Sequence, residues 1–157
     1  MALREPLKQI ALECSLPAAL EAMGERWSFL LLRAAFNGLR HFEEMQSSLG
    51  IARNILANRL TRLVDAGILE RLPCPDDRRK VEYRLTSKGE ALLPTMIALR
   101  QWGERWETKC PSNPVLVDKR DGEPVQPIRV CAHDGRALEW GDLCFRDRAD
   151  LLPQAAE

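Results

Sequence analysis

The sequence predicts a mainly α-helical fold with a small β wing, followed by a short β-rich C-terminal appendage. Three observations predict it. Apolar residues recur at helical spacing between residues 27 and 66, a Gly-containing break divides that stretch, and two β-favouring runs around a Pro- and Asp-rich turn follow directly. Two helices joined by a tight Gly turn, with a hairpin behind them, outline a winged helix-turn-helix.

Taken in order, Leu3, Leu7 and Ile10 suggest a short first helix. Ser15 is a candidate cap and Pro17 a candidate first residue for a second, running to about Gly24. The run ERWSFLLLRAAF is apolar at Trp27, Leu30, Leu31 and Ala34, so it reads as a buried central helix ended by Asn37-Gly38. A short helix follows with Phe42, Met45 and Leu49 on one face, stopped by Gly50. A longer one spans about 52–66 and is closed by Gly67. Ile68-Leu69-Glu70-Arg71-Leu72 and Val81-Glu82-Tyr83-Arg84-Leu85 flank PCPDDRRK, a hairpin with a basic tip.

Thr86 can cap the next helix, which carries Leu92, Met96, Leu99, Gly103 and Trp106 down one side with Leu93 and Ile97 beside them. Pro94 lies inside it and is expected to kink it. So wide an apolar surface at the end of a small domain calls for a partner, most simply a second copy of the chain. Beyond Pro111, Val115-Leu116-Val117 and Ile128-Arg129-Val130 alternate with the turn pairs Asp121-Gly122 and Asp134-Gly135. The expected division is a domain over 1–110 and a small β-rich extension over 111–157.

Composition narrows the class. The chain has 157 residues, 45% of them hydrophobic, enough for one globular domain and an appendage. No stretch of membrane-spanning length is apolar, and the N-terminal residues carry charge throughout, so neither a membrane span nor a signal peptide is expected. The five cysteines, Cys14, Cys74, Cys110, Cys131 and Cys144, are odd in number and widely spaced, which suits a reducing compartment and hence the cytoplasm. Overall charge balances at 23 basic against 23 acidic residues. Its distribution does not: residues 52–88 hold 9 basic against 5 acidic, marking the stretch best suited to face phosphates.

The helix over 52–66 separates two faces. Leu56, Leu60, Leu63 and Val64 cluster on one side; Asn54, Asn58, Thr61 and Arg62 cluster on the other, with Arg53 at the entering end. Such a helix suits the major groove, where Asn pairs bidentately with adenine and Arg with guanine. The basic tip Arg78-Arg79-Lys80 suits phosphates or the adjacent minor groove. Arg59 lies at the boundary of the two faces, as an ion-pair partner or a phosphate contact. His41, beside Arg40, is either a backbone-contacting residue or a plain surface histidine.

The segments CSLPAALEAMGERWSFLLLR, RHFEEMQSSLGI, LANRLTRLVDAGILER and VEYRLTSKGEALLP resemble the HxlR-type winged helix-turn-helix transcription regulators, relatives of the MarR-like group, over about residues 14–107. The resemblance implies a homodimer held by terminal helices, with recognition helices in successive major grooves of double-stranded DNA and wings flanking them. It also implies that Cys14 occupies a cysteine position that senses oxidants or electrophiles in some members; the alternative is a small buried side chain at the dimer seam. Three departures stand out. Ala52 replaces a serine that often caps the recognition helix, Glu43 stands where a small cap is common, and Arg78-Arg79-Lys80 replaces a Pro-rich approach to the second wing strand.

Relatives with a similar extension can carry a zinc-ribbon pattern. Here the tail offers Cys131, His133 and Cys144, but the first turn, Lys119-Arg120-Asp121-Gly122, has no cysteine, so no metal is expected. No cofactor is expected either. With only His41 and His133, far apart, and no phosphate-cradling loop or nucleophile elbow, catalysis is not expected. The expected function is sequence-specific DNA binding as a regulator. The alternatives are a winged-helix protein-interaction module with lost or weak DNA binding, and a sensor taking a small-molecule effector near Trp27, Trp102 and Trp106.

Overall fold

Helical spacing of large apolar residues puts the core where several short helices can share it. The computed structural model describes residues 15–74, 77, 80–144 and 146. The expected helix around Leu3, Leu7 and Ile10 lies outside them, as do Cys14, Arg78 and Arg79. The order of elements is α1 (Ser15–Met23), α2 (Arg26–Phe36), α3 (Phe42–Leu49), α4 (Arg53–Asp65), β1 (Leu69–Pro73), β2 (Val81–Leu85), α5 (Ser87–Glu90) and α6 (Leu93–Trp106), with a 3₁₀ turn at Trp140–Asp142. No helix among the described residues is long and apolar enough to cross a membrane.

One compact unit runs from Ala18 to Ile128. Leu31 and Leu32 of α2, Met45 of α3, and Leu56, Leu60 and Leu63 of α4 meet Ile68 and Leu69 in its fully buried centre. Burying each such side chain contributes roughly 1.5–3 kcal/mol. The central helix is rotated slightly from expectation: Leu32 and Ser28 are buried, whereas Leu30 is only half-buried. Gly50, at φ 61°, takes the left-handed conformation that ends α3 and turns the chain toward α4.

Helix α3 is entered differently from expectation. Its cap is His41 rather than Glu43, which sits in the first turn. The Glu44 carboxylate reaches back to accept from the His41 backbone N–H at 3.3 Å, and Glu43 and Glu44 together place negative charge at the positive end of the helix. Ser15 is itself helical, two residues before Pro17 in α1.

Strands β1 and β2 pair antiparallel in the register Leu69↔Leu85 through Pro73↔Val81. Cys74 N–H donates to the Lys80 carbonyl at 2.9 Å, closing the hairpin, and Tyr83 N–H donates to the Arg40 carbonyl at 2.8 Å, binding β2 to the loop before α3. Thr86 caps α5 as expected, its hydroxyl accepting from Gly89 N–H at 3.2 Å. The helix then breaks, and Pro94 opens α6 instead of kinking a longer helix. Lacking an N–H, proline fits a first turn, where that donor has no intrahelical partner.

The segment after residue 110 is laced to α6. Gln101 donates to the Gln126 carbonyl at 3.2 Å and accepts from Ile128 N–H at 2.8 Å; Glu104 accepts from Ser112 N–H at 3.3 Å; Arg100 donates to the Pro114 carbonyl. Within this segment the expected β character reduces to an isolated bridge, Val117↔Pro124, around the Asp121-Gly122 turn. In the second unit, of which residues 15–17, 129–144 and 146 are described, a similar bridge, Cys131↔Ala137, closes around Asp134-Gly135.

Candidate nucleic-acid interface

The periodicity of α4 delivers the two faces the sequence implies. Leu56, Leu60 and Leu63 are at most 1% exposed, while Arg53, Asn54, Asn58, Thr61 and Arg62 are all exposed. Three leucines inside anchor the helix, so its polar side is held outward by the core. Ala52 occupies the N-cap with extended backbone geometry and no side-chain cap, leaving the first N–H groups of α4 without that partner. At the other end the carbonyls are satisfied. Lys88 Nζ donates to the Ala66 carbonyl at 2.7 Å and the Thr86 hydroxyl to the Gly67 carbonyl at 2.6 Å, a cation and a hydroxyl against the negative pole of the helix.

The exposed side chains differ in their engagements. Among the described residues no hydrogen-bond partner is recorded for the amides of Asn54 and Asn58. The Thr61 hydroxyl donates to the Ala57 carbonyl at 3.0 Å, so it retains acceptor capacity toward an incoming group. Arg53 lies with its guanidinium 4.8 Å from the centre of the Phe42 ring, a cation–π contact that ties the start of α4 to α3. Arg62 meets Glu21 of α1 at 3.5 Å, both ends being largely exposed. An exposed pair of this kind is worth about 0–1 kcal/mol and exchanges easily for another anion.

Arg59 resolves in favour of structure. It is mostly buried, its guanidinium pairs with Glu25 at the start of α2, and its Nε has no hydrogen-bond partner among the described residues. Sequence reasoning missed Glu21 and Glu25. Their spacing of four, set against Arg59 and Arg62 at a spacing of three, was the available signal: one helical turn of acid matched to one of base.

At the wing, Lys80 is exposed where the hairpin returns, and its N–H is held by the Asp77 carbonyl at 2.9 Å. Beneath it Glu82 is buried against Arg84, whose Nε and Nη2 donate to Glu82 Oε2 at 2.8 and 2.6 Å. That hydrogen bonding holds the Glu82 carboxyl below the usual carboxylate range against the opposing cost of burial, and the charges of Arg84, Arg40 and His41 add to it. His41 is engaged within the protein, its Nδ1 lying 3.3 Å from the Val81 carbonyl oxygen.

Of the three tryptophans expected to surround a ligand, Trp102 and Trp106 line an open cleft, with Val125 and Ile128 opposite. Trp27 instead packs half-buried against the core. Along α6, Leu99, Trp102 and Trp106 are each at least half exposed and follow one another at spacings of three and four. Cys131 and Cys144 are exposed free thiols.

The sequence matches the HxlR-like helix-turn-helix family over residues 22–110. A helix-turn-helix-type transcriptional regulator of Mycobacterium tuberculosis, itself uncharacterised, is 38% identical over 125 residues, covering 79% of each chain. Among solved structures, PA1607, described as a candidate transcription factor, is 40% identical, with 90% of this chain and 99% of that one covered at a TM-score of 0.81. PA1374 of Pseudomonas aeruginosa, also a candidate transcription factor, is 36% identical, with 92% and 96% covered at a TM-score of 0.62.

Proposed function

The chain belongs to the HxlR-like helix-turn-helix family, whose members are transcriptional regulators and not enzymes, and from that premise we propose that it binds double-stranded DNA sequence-specifically as a homodimer. The observation that carries this reading is the outward face of α4, where Asn54, Asn58, Thr61 and Arg62 are exposed and the leucine face is buried. In the major groove, Asn54 and Asn58 present amides to adenine edges, and Arg62 trades Glu21 for guanine or phosphate. Arg53, Arg78, Arg79 and Lys80 serve the backbone, the wing tip lying on phosphates or in the minor groove.

The stripe of Leu99, Trp102 and Trp106 supports dimerisation through α6. Three large apolar side chains left half in water favour association by roughly 1.5–3 kcal/mol each when fully covered. Two-fold symmetry then calls for a pseudo-palindrome with half-sites about 34 Å apart.

The test is selection of bound duplexes from a random pool, followed by titration of the chosen duplex across salt concentrations. An enriched palindrome is expected. Asn58→Ala should relax preference at one base pair by about 1–3 kcal/mol, and Lys80→Ala should weaken all duplexes alike and flatten the salt slope by about one unit. A pool without enrichment, or binding indifferent to both substitutions, refutes the assignment.

A second reading, effector sensing, is favoured by the cleft of about 690 Å³ beside Trp102 and Trp106. Arg105 and Lys109 outnumber Glu104 in its lining, a balance that suits a small aromatic anion. Because α6 forms one wall, a ligand there shifts the helix that sets the spacing of the two recognition helices. Titration with benzoate, followed by tryptophan fluorescence and compared with Trp102→Ala, tests it; a signal unchanged by that substitution excludes the cleft.

A further inference from the structure

The root of the wing holds a group of side chains that DNA binding does not use. His41 caps α3, Cys74 directly follows β1 and Glu82 is the second residue of β2. Each offers one ligand atom, and these atoms lie within 4.8 Å of one another. Two of the three are shielded from water: Cys74 is 9% exposed and Glu82 is 7%. We propose that His41, Cys74 and Glu82 form a binding site for a divalent cation of the zinc class, tying the wing to the first helix of the helix-turn-helix.

The distances suit such an ion. Cys74 Sγ lies 3.8 Å from Glu82 Oε1. A tetrahedral zinc with bonds of about 2.3 Å to sulfur and about 2.1 Å to oxygen sets those two atoms about 3.6 Å apart. The surroundings are also those of a supported site. Arg84 occupies Glu82 Oε2 and leaves Oε1 facing the thiol. An Nδ1–H of His41 donated to the Val81 carbonyl leaves the lone pair on Nε2, as in ligating histidines oriented by a backbone acceptor.

The donor set selects the ion. On binding, the Cys74 thiol releases its proton to solvent, so thiolate and carboxylate offset the two positive charges and neutral imidazole completes three ligands, the fourth position going to water. Arg84 and Arg40 raise the local positive potential around Glu82. One carboxylate oxygen is a poor match for magnesium or calcium, which take several oxygen ligands, whereas thiolate and imidazole suit a softer cation able to bind against that potential. Bound there, the ion bridges β1, β2 and the start of α3, so the wing's position relative to α4 becomes metal-dependent. Only this consequence for DNA rests on the function proposed above.

Cobalt(II) is the spectroscopic probe. The full chain, reduced, is titrated with cobalt chloride, and thiolate-to-cobalt charge-transfer absorption is expected to saturate at one equivalent per chain and to vanish on adding zinc. Cys74→Ser should abolish the band, whereas a chain with Cys14, Cys110, Cys131 and Cys144 all changed to serine should keep it. His41→Gln, at a half-buried position, should weaken cobalt binding about 10–100-fold or more while far-UV circular dichroism stays the same, and it decides the matter if Cys74→Ser misfolds. Zinc should also slow amide hydrogen exchange over residues 69–85 of the wild type. Absence of the band, its survival in Cys74→Ser, its loss in the four-serine chain, or cobalt affinity unchanged by His41→Gln would overturn the proposal. None of these readouts involves DNA, so failure of duplex binding and failure of metal binding are separately visible.

Discussion

Gly89→Ala sets helix propensity against packing. Alanine is favoured over glycine inside a helix by about 1 kcal/mol, so propensity alone expects a more stable protein. The surroundings of Gly89 oppose that. A Cβ built there meets the Ile68 carbonyl oxygen at 2.3 Å and Leu85 Cδ2 at 3.0 Å. Relieving the first contact takes a shift of about 0.7 Å to reach even the 3.0 Å lower limit. The oxygen cannot yield freely, because Ile68 is buried and its carbonyl accepts from Thr86 N–H at 3.1 Å. Overpacking of this kind costs about 1–3 kcal/mol, and a weakened Thr86 cap adds about 1 kcal/mol, which together outweigh the propensity gain. The net expectation is a loss of about 1–3 kcal/mol. In urea the midpoint should fall by about 1 M with the slope unchanged, and the melting temperature should drop by about 2–4 °C per kcal/mol. Wild type and variant are compared at equal chain concentration, since association shifts both transitions. A midpoint equal to or above that of the wild type would refute the docking of α5 against the α4–β1 corner.

Three more outcomes follow from the same structure. Ala52→Ser supplies the missing cap of α4 and should stabilise the chain by about 1 kcal/mol in urea unfolding; no gain would mean that α4 starts elsewhere. Trp102→Glu puts charge in the α6 stripe and should turn the proposed dimer into a monomer by light scattering at micromolar concentration, whereas a wild-type chain that is already monomeric refutes dimerisation and a variant that stays dimeric moves the interface off this face. Hydrogen bonds from Ser112 and then Arg100 hold the Glu104 carboxyl below its usual range, and those from Arg120 do the same for Asp118. Carboxyls depressed in the folded state stabilise it above the ordinary value of about 4.3 and lose that contribution as pH falls through their lowered values. Acidification below about 4 should therefore loosen residues 111–128 from α6, read as a change in tryptophan fluorescence, and Glu104→Gln should shrink that acid transition.

Much of the surface proposed to face DNA was legible in the sequence. The separation of Leu56, Leu60 and Leu63 from Asn54, Asn58 and Arg62 is a property of one helix and its 3.6-residue repeat, so it shows in a line of letters. The hairpin was equally local, its strands bounded by turn residues. Pro94 was legible only in part, because proline disrupts a helix interior and suits a first turn equally well, and the choice depended on where α5 docks.

Sequence by itself determined α1 to α4 and the hairpin, their order and which side of α4 is polar, because periodicity, glycine turns and prolines act over a few residues. Tertiary structure alone decided which charges meet. Arg59 turned inward to Glu25, thirty-four residues away, and Arg53 settled on Phe42. His41, Cys74 and Glu82 came together from three separate elements, and residues 112–128 were laced onto α6. Such pairings depend on how helices and strands cross once the core is packed, and no local spacing encodes that angle.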